Sequence, residues 1–129
     1  MTLKYTESQR REYINMTRKL TANWLSVFDG DTSYYSADYW DLLTEMWYAG
    51  KPVMVSDALK FMKSIKSPFT ARKYLQKLID GKIIVESKNP ADERSMLVEL
   101  SLGMRKKLDQ FFDDITGELI VTAKSIEGK

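Results

Sequence analysis

The stretch from residue 56 to residue 101 constrains the fold of this 129-residue chain more than any other part of it. Two short helical patterns with a tight break between them are followed by a β-type run, a polar turn and a second β-type run. Ser67 is placed to cap the second helical pattern, Pro68 suits its first position, and Gly81 follows its last. Helix, turn, helix and hairpin in this order predict a helix-turn-helix unit with a wing.

The second helical pattern, residues 68–80, has two faces of different chemistry. Four aliphatic side chains recur at helical spacing and are expected to be buried: Ala71, Leu75, Leu78 and Ile79. A polar set at spacing i, i+3, i+4 and i+7 is expected to point outward: Thr70, Lys73, Tyr74 and Lys77. A helix with one buried stripe and one basic, hydrogen-bonding face suits a DNA groove.

The charge distribution supports this interpretation. The chain carries a net charge of only +2, but residues 51–94 contain ten basic and five acidic residues, so the middle carries +5 and the flanks together −3. A basic centre between mildly acidic ends is what local phosphate binding needs. A lysine-rich surface with no partner would have the same composition, so charge alone leaves both interpretations open.

The other elements follow from capping and turn residues. A first helix over residues 7–29 is predicted behind the capping box that begins at Thr6, and a second begins after Ser36 and ends at Gly50. A short strand is expected at residues 51–55, a third helix capped by Ser56 and running from 57 to about 63, and hairpin strands at 82–88 and 96–100. A last helix follows Ser101. The fold class is mainly α with a small β-hairpin wing (α+β), a winged helix-turn-helix within a single domain, 1–129.

The two terminal helices carry long apolar stripes. The first spans about six turns, twice the average helix length, and the last carries apolar residues at alternating steps of four and three. We expect one chain to lack the surface to cover both stripes, so residues 6–30 and 102–126 are predicted to be dimerisation helices around the DNA-binding unit, 36–101. The residues expected at the interface are Leu20, Trp24, Phe28, Leu108, Phe112, Ile115 and Leu119.

Several classes of function are disfavoured by what the chain lacks. It contains no cysteine and no histidine, which removes disulfides, thiolate nucleophiles, the usual zinc sites and the usual general base. There is no phosphate-cradling glycine loop, and the adjacent acids Asp113 and Asp114 do not share a helix face. We therefore expect no enzyme, no metal site and no cofactor. Without a secretory signal or a membrane-spanning apolar run, a cytoplasmic protein is expected.

With these elements assigned, the sequence resembles the MarR family (multiple antibiotic resistance regulators) of winged-helix transcription regulators. The family's wing pattern is matched at every spacing by Asp92, Arg94, Ser95, Val98, Leu100 and Ser101. The recognition-helix pattern is matched by Thr70, Lys73 and Leu78. The sequence departs from the family pattern in four respects. Gly81 comes one residue before the family's usual glycine, so that Lys82 fills its slot, and Phe69 stands where a small polar residue is common. Gly103 follows Ser101 after one residue where the family leaves two, and the C-terminal region is short for the family.

The resemblance implies a sequence-specific, double-stranded DNA-binding transcriptional regulator. It would act as a homodimer that sets two recognition helices one DNA turn, roughly 34 Å, apart. The recognition helix would enter the major groove and the wing would lie at the minor groove, with Asp92 pairing with Arg94 to stiffen the tip. A small aromatic effector is left open. The residues expected to contact DNA are Lys63, Lys66, Ser67, Thr70, Arg72, Lys73, Tyr74, Lys77, Lys88 and Arg94.

One alternative function remains open at this point. A winged helix also serves as a protein-interaction module, or as a plasmid or phage accessory protein without a small-molecule effector. Both functions use the same fold, so a DNA-binding experiment has to separate them.

Overall fold

The computed structural model describes residues 1–129. Its helices are α1 (Glu7–Val27), α2 (Ala37–Ala49), α3 (Val55–Phe61), α4 (Pro68–Asp80) and α5 (Leu102–Glu127), with a short 3-10 turn at Thr32–Tyr34. The strands are β1 (Val53–Met54), β2 (Ile84–Lys88) and β3 (Met96–Leu100). This order of elements and the mainly α fold with a small wing are those predicted from the sequence. No helix combines the length and the hydrophobicity that crossing a bilayer requires.

The chain divides into two compact units, Met1–Thr32 with Leu108–Lys129, and Ser33–Lys107. In the first unit, α1 begins with the predicted capping box between Thr6 and Gln9. The Gln9 side chain also donates to the carbonyl of Ile126 at 3.0 Å, and the rings of Trp24 and Phe111 meet edge-on at 5.3 Å. Contacts at both ends therefore hold α1 against the C-terminal part of α5.

The second unit packs three helices against a three-stranded antiparallel sheet. The strand order is β1-β3-β2, with Val53 opposite Val98 and Ile84 opposite Leu100. Its core contains side chains from all three helices, from the sheet and from the start of α5. Those with at most 2% exposure are Leu42, Leu43, Ala58, Met62, Ala71, Leu75, Leu78, Ile84 and Val98.

The start of α3 differs from the prediction. Ser56 was expected to cap a helix from residue 57 to about 63, but α3 runs from Val55 to Phe61, and its N-cap is Met54, whose side chain makes no capping hydrogen bond. Met54 is paired with Leu97 in the sheet. Because the strand fixes the backbone up to that residue, the helix begins directly where the pairing ends, and Ser56 lies inside it.

The turn between α4 and β2 is tight and uses a non-glycine residue in the left-handed region. The helix ends at Gly81 with φ −80°, and Lys82 takes φ +60°. A Cβ on Gly81 would lie 2.6 Å from the Tyr34 hydroxyl oxygen and 3.3 Å from the Lys77 carbonyl oxygen. The glycine is therefore needed at 81 for space, while the left-handed conformation falls on a lysine.

Candidate nucleic-acid interface

The helix α4 is positioned by its cap and its buried stripe. The Ser67 side chain accepts from the backbone N–H of Thr70 at 3.4 Å, and Pro68 occupies the first turn, where no N–H is needed. Ala71, Leu75 and Leu78 are buried, whereas Ile79, also expected to be buried, is half-buried. The predicted cap and three of the four predicted stripe residues are present, and they fix which side of α4 faces away from the core.

The exposed side of α4 is positively charged. Thr70, Arg72 and Lys73 are all exposed, and Lys66 is exposed just before the helix. Asp80, at the last position, is the first acidic residue of α4. Phosphate groups or base edges placed along the first three turns would therefore meet cations and a hydroxyl, with no carboxylate on that part of the helix.

Two residues expected on this exposed side make contacts within the unit. The Lys77 Nζ atom lies 3.1 Å from the Ser33 carbonyl oxygen and 4.8 Å from the Tyr34 ring centroid. The Tyr74 ring is half-buried, with its centroid 4.9 Å from that of Tyr39. The last turns of α4 are thus used for packing against α2 and the 3-10 turn, and the exposed basic surface is concentrated in the first half of the helix.

Tyr39 is the centre of this aromatic cluster. Its side chain is buried, and burial raises the pKa of the phenol above its usual value, with further increases from Tyr74, Tyr34 and Asp38. Lys77 Nζ stands 5.7 Å from the same ring. The cluster supplies a neutral, electron-rich surface for that ammonium group.

The tip of the wing, residues 89–95, is closed by side-chain hydrogen bonds. The Asn89 amide donates to Ser95 Oγ at 3.0 Å and its oxygen accepts from the Ala91 N–H at 3.0 Å. Asp92 Oδ1 accepts from the Arg94 N–H at 3.0 Å, and Ser95 Oγ donates to the Asp92 carbonyl at 3.2 Å. The hydrogen bonds that close the wing tip therefore do not include the Arg94 side chain.

The Arg94 guanidinium extends from this tip. Its side chain is 96% exposed, and its Nε stands 3.8 Å from Asp92 Oδ1, a separation at which an exposed ion pair contributes at most about 1 kcal/mol. The backbone N–H, rather than the guanidinium, makes the close bond to Asp92. Arg94 is consequently presented to solvent on a shaped loop.

The recognition-helix side and the wing side share one cleft. Arg72 from α4 and Arg94 from the wing line a cleft of about 250 Å³, together with Ser56, Glu86 and Ser95. Residues that are far apart in the sequence are thus brought around one polar depression. Two guanidinium groups with a single carboxylate among the charged lining residues make it suited to an anion.

The remaining basic candidates lie in different settings. Lys88 ends β2 and is exposed. Lys63 is exposed just after α3, with its Nζ 3.9 Å from Glu45 Oε1, so a carboxylate partly offsets its charge. Lys66 and Lys88 are therefore better placed than Lys63 to attract a phosphate.

The residues expected at a dimer interface divide into two groups. Trp24, Phe28 and Leu108 have at most 7% exposure and belong to the core of one chain. These three side chains are covered within one chain, because α1 and α5 pack together, and the dimer interface stays a prediction. Leu119 is 54% exposed, and the half-buried members of the set are Leu20, Phe112 and Ile115.

Sequence reasoning missed three features of this surface. Phe69 projects from the first turn of α4 with 70% exposure. The sequence did contain a signal for it, because the family pattern has a small polar residue at this position. The Asn89 side chain closes the wing tip. Its position before Pro90 predicted a turn but not these hydrogen bonds. Tyr34 anchors Lys77, and no local pattern connects two residues so far apart in the chain.

Comparison with known proteins identifies the fold. No family model matches the sequence, and comparison with curated protein sequences finds no match either. The structure is similar to RV1404 from Mycobacterium tuberculosis, with a TM-score of 0.65 at 12% sequence identity over 96% of this chain and 83% of that one. It is also similar to a MarR-like transcription regulator from Bacillus cereus, with a TM-score of 0.51 at 18% identity over 92% of this chain and 84% of that one.

Proposed function

We propose that this chain, whose fold is the winged helix of MarR-like transcription regulators, is a sequence-specific regulator that binds double-stranded DNA as a homodimer. The first half of α4 enters the major groove and the wing reaches the adjacent minor groove. This assignment goes beyond the fold, because the same fold serves other functions. It therefore depends on the chemistry of the exposed surface.

The observation that carries the proposal is the placement of Arg72 and Arg94 around one cleft. A duplex lying on this side of the unit brings its phosphates between the recognition helix and the wing. Lys66 and Lys88 then add backbone contacts at the two ends of the surface. An arginine fork also suits the narrow, electronegative minor groove of A·T-rich sequences.

Base reading falls to the first half of α4. Lys73 and Thr70 are exposed and near the N-terminal end of the helix, which is the part that contacts base edges in helix-turn-helix proteins. Lys73 suits the acceptors of guanine, and Thr70 suits either a base or a phosphate. The backbone N–H groups after Ser67 favour a phosphate at the helix start. Tyr74 and Lys77 hold α4 in place through their contacts with Tyr39, Ser33 and Tyr34.

The homodimer would use apolar residues that the single chain leaves exposed. On α1 itself and the C-terminal part of α5, the large exposed apolar side chains are Tyr13, Ile14, Leu119, Ile120 and Val121. Exposed aliphatic residues on long helices favour association with a second helix surface. A small aromatic effector stays a prediction.

The test of DNA binding uses duplexes selected from a random library with the purified full-length protein. Fluorescence anisotropy then compares the selected duplex with a scrambled one of the same composition, at salt concentrations from 50 to 200 mM. We expect at least about 10³-fold preference for the selected duplex, with log Kd linear in log salt. Failure to bind any duplex at 50 mM salt would contradict the proposal and favour a protein-interaction module.

The test of dimerisation is sedimentation velocity on the wild type and on Leu119→Glu with Ile120→Glu. We expect a dimer for the wild type and a monomer of unchanged helicity for the double variant. Gln110→Glu, an exposed change about half a turn around the same helix from Leu119, is the matched control and should remain dimeric. A monomeric wild type at micromolar concentration would rule out the homodimer.

A further inference from the structure

Phe69 exposes an apolar ring that is not part of the core. It occupies the second position of α4, and 70% of its surface is open to solvent. The buried stripe of the helix is complete without it, through Ala71, Leu75 and Leu78. Exposing a phenyl ring gives up the free energy that its burial would contribute. The position of Phe69 is therefore not explained by folding.

The ring is paired with a cation on the same face. The Lys73 Nζ atom stands 4.6 Å from the Phe69 ring centroid, one helical turn further along. This contact limits the conformations of a side chain that otherwise has four free rotations, and it does so without neutralising the charge, as a carboxylate would. Phe69 and Lys73 thus form one unit that presents an apolar surface beside an ammonium group.

The surroundings indicate the chemistry of what covers this pair. Lys66 and Thr70 are exposed within three residues of Phe69 in the chain, and Lys73 lies against its ring. A partner of this surface therefore has to supply negative charge and hydrogen-bond acceptors together with a small apolar group. A protein surface with that combination needs several acidic residues around a hydrophobic one. The major groove of DNA supplies it as a regular property, since the thymine C5-methyl group lies among base acceptors and between two phosphate chains.

We propose that Phe69 recognises a thymine methyl group in the major groove and holds Lys73 over a neighbouring guanine or phosphate. This inference rests on the proposed DNA-binding function and adds a specificity determinant to it. The part of the base that Phe69 reads is the methyl carbon alone. Deoxyuridine, which pairs with adenine and lacks only that carbon, is therefore a direct probe.

The experiment replaces each thymine of the selected duplex by deoxyuridine, one at a time, and measures Kd by fluorescence anisotropy. For the wild type, we expect one or two positions per half-site at which the loss of the methyl weakens binding about fourfold. Phe69→Ala should bind the unmodified thymine duplex more weakly than the wild type does. At the same positions, replacing thymine by deoxyuridine should no longer change the affinity of Phe69→Ala. Phe69→Leu should restore part of the sensitivity, because it keeps an apolar side chain.

The matched control is Tyr48→Ala, which removes another highly exposed aromatic ring, 84% open to solvent on α2. It should leave both the affinity and the deoxyuridine profile unchanged. Thermal unfolding by circular dichroism should give the same Tm for Phe69→Ala as for the wild type, since the ring is not part of the core.

Three results would overturn the inference. The wild type binds the selected duplex but no deoxyuridine position affects it, or Phe69→Ala keeps the wild-type deoxyuridine profile. Alternatively, Phe69→Ala changes the sedimentation coefficient of the free protein, which would assign the ring to a contact between two chains. If the wild type binds no duplex at all, the proposed function itself fails, and that outcome is distinct from the other three.

Discussion

The ammonium nitrogen of Lys77 lies 3.1 Å from the carbonyl oxygen of Ser33. This hydrogen bond joins the end of the proposed recognition helix to the 3-10 turn that precedes α2. The Tyr34 ring lies against the same ammonium group at 4.8 Å. Lys77 therefore stabilises the orientation of α4, whereas Lys73, one turn earlier, is exposed on its basic face.

Replacing Lys77 by methionine should lower the free energy of unfolding by about 1 kcal/mol, because a charged hydrogen bond and a cation–π contact are lost together. Lys73→Met is the matched control and should leave stability within about 0.5 kcal/mol. Urea unfolding followed by circular dichroism measures both. DNA titrations should show a loss of preference for the selected duplex over the scrambled one for Lys73→Met only. The reverse pattern would make Lys77 the direct contact.

A Cβ at residue 81 would meet the Tyr34 hydroxyl oxygen at 2.6 Å, so Gly81→Ala should destabilise the fold by about 1–3 kcal/mol. Much of that loss should disappear in the Tyr34→Phe background, where the colliding oxygen is absent and the next ring atom stands 3.7 Å away. The double-mutant cycle by urea unfolding isolates this coupling. Additive effects of the two substitutions would contradict the close approach.

Lys82 adopts φ +60°, which costs an L-residue with a side chain about 1–2 kcal/mol. Lys82→Gly should therefore raise the free energy of unfolding by about 0.5–1 kcal/mol, after allowing for the greater freedom of glycine in the unfolded chain. Lys82→Ala keeps the Cβ and should give no such gain, so it is the control for loss of charge. Equal stability changes in the two variants would show that the backbone conformation is not the cause.

Tyr39 has a pKa raised above that of the unfolded chain, chiefly by burial, so the folded protein holds this proton to a higher pH than the unfolded one does. Its contribution to stability is complete below about pH 10 and is lost as the pH rises through the folded-state pKa. Urea midpoints measured at pH 8 and pH 10.5 should fall less for Tyr39→Phe than for the wild type. Tyr48→Phe, at an exposed position, should follow the wild type.

Arg94→Ala should weaken binding to the selected duplex about tenfold or more while leaving Tm unchanged, since its side chain is 96% exposed and the wing tip is closed without it. Asp92→Ala removes the acceptor of the Arg94 N–H and should also weaken binding, through a less ordered tip. Anisotropy titrations and thermal unfolding check both variants. Unchanged affinity for Arg94→Ala would exclude the Arg94 side chain from the interface.

Local signals were sufficient for most of the elements. The caps at Thr6, Ser36 and Ser67 and the left-handed Gly50 were predicted correctly, because a cap or a turn depends on a few neighbouring residues. The wing strand Met96–Leu100 was predicted to the residue from its apolar pattern. The prediction that Ser56 caps α3 was wrong, because the start of that helix depends on the pairing of Met54 with Leu97, more than forty positions away.

Sequence by itself determined the buried stripe of α4 at Ala71, Leu75 and Leu78 and that the middle of the chain is basic, since periodicity and charge are properties of the order of residues. Only the tertiary structure decided which polar residues of that helix contact a distant part of the chain. Lys73 and Lys77 are equivalent in the helical pattern, and they differ because the 3-10 turn brings Ser33 and Tyr34 against one of them. Such a difference arises from distant parts of the chain meeting in space, which no local spacing encodes.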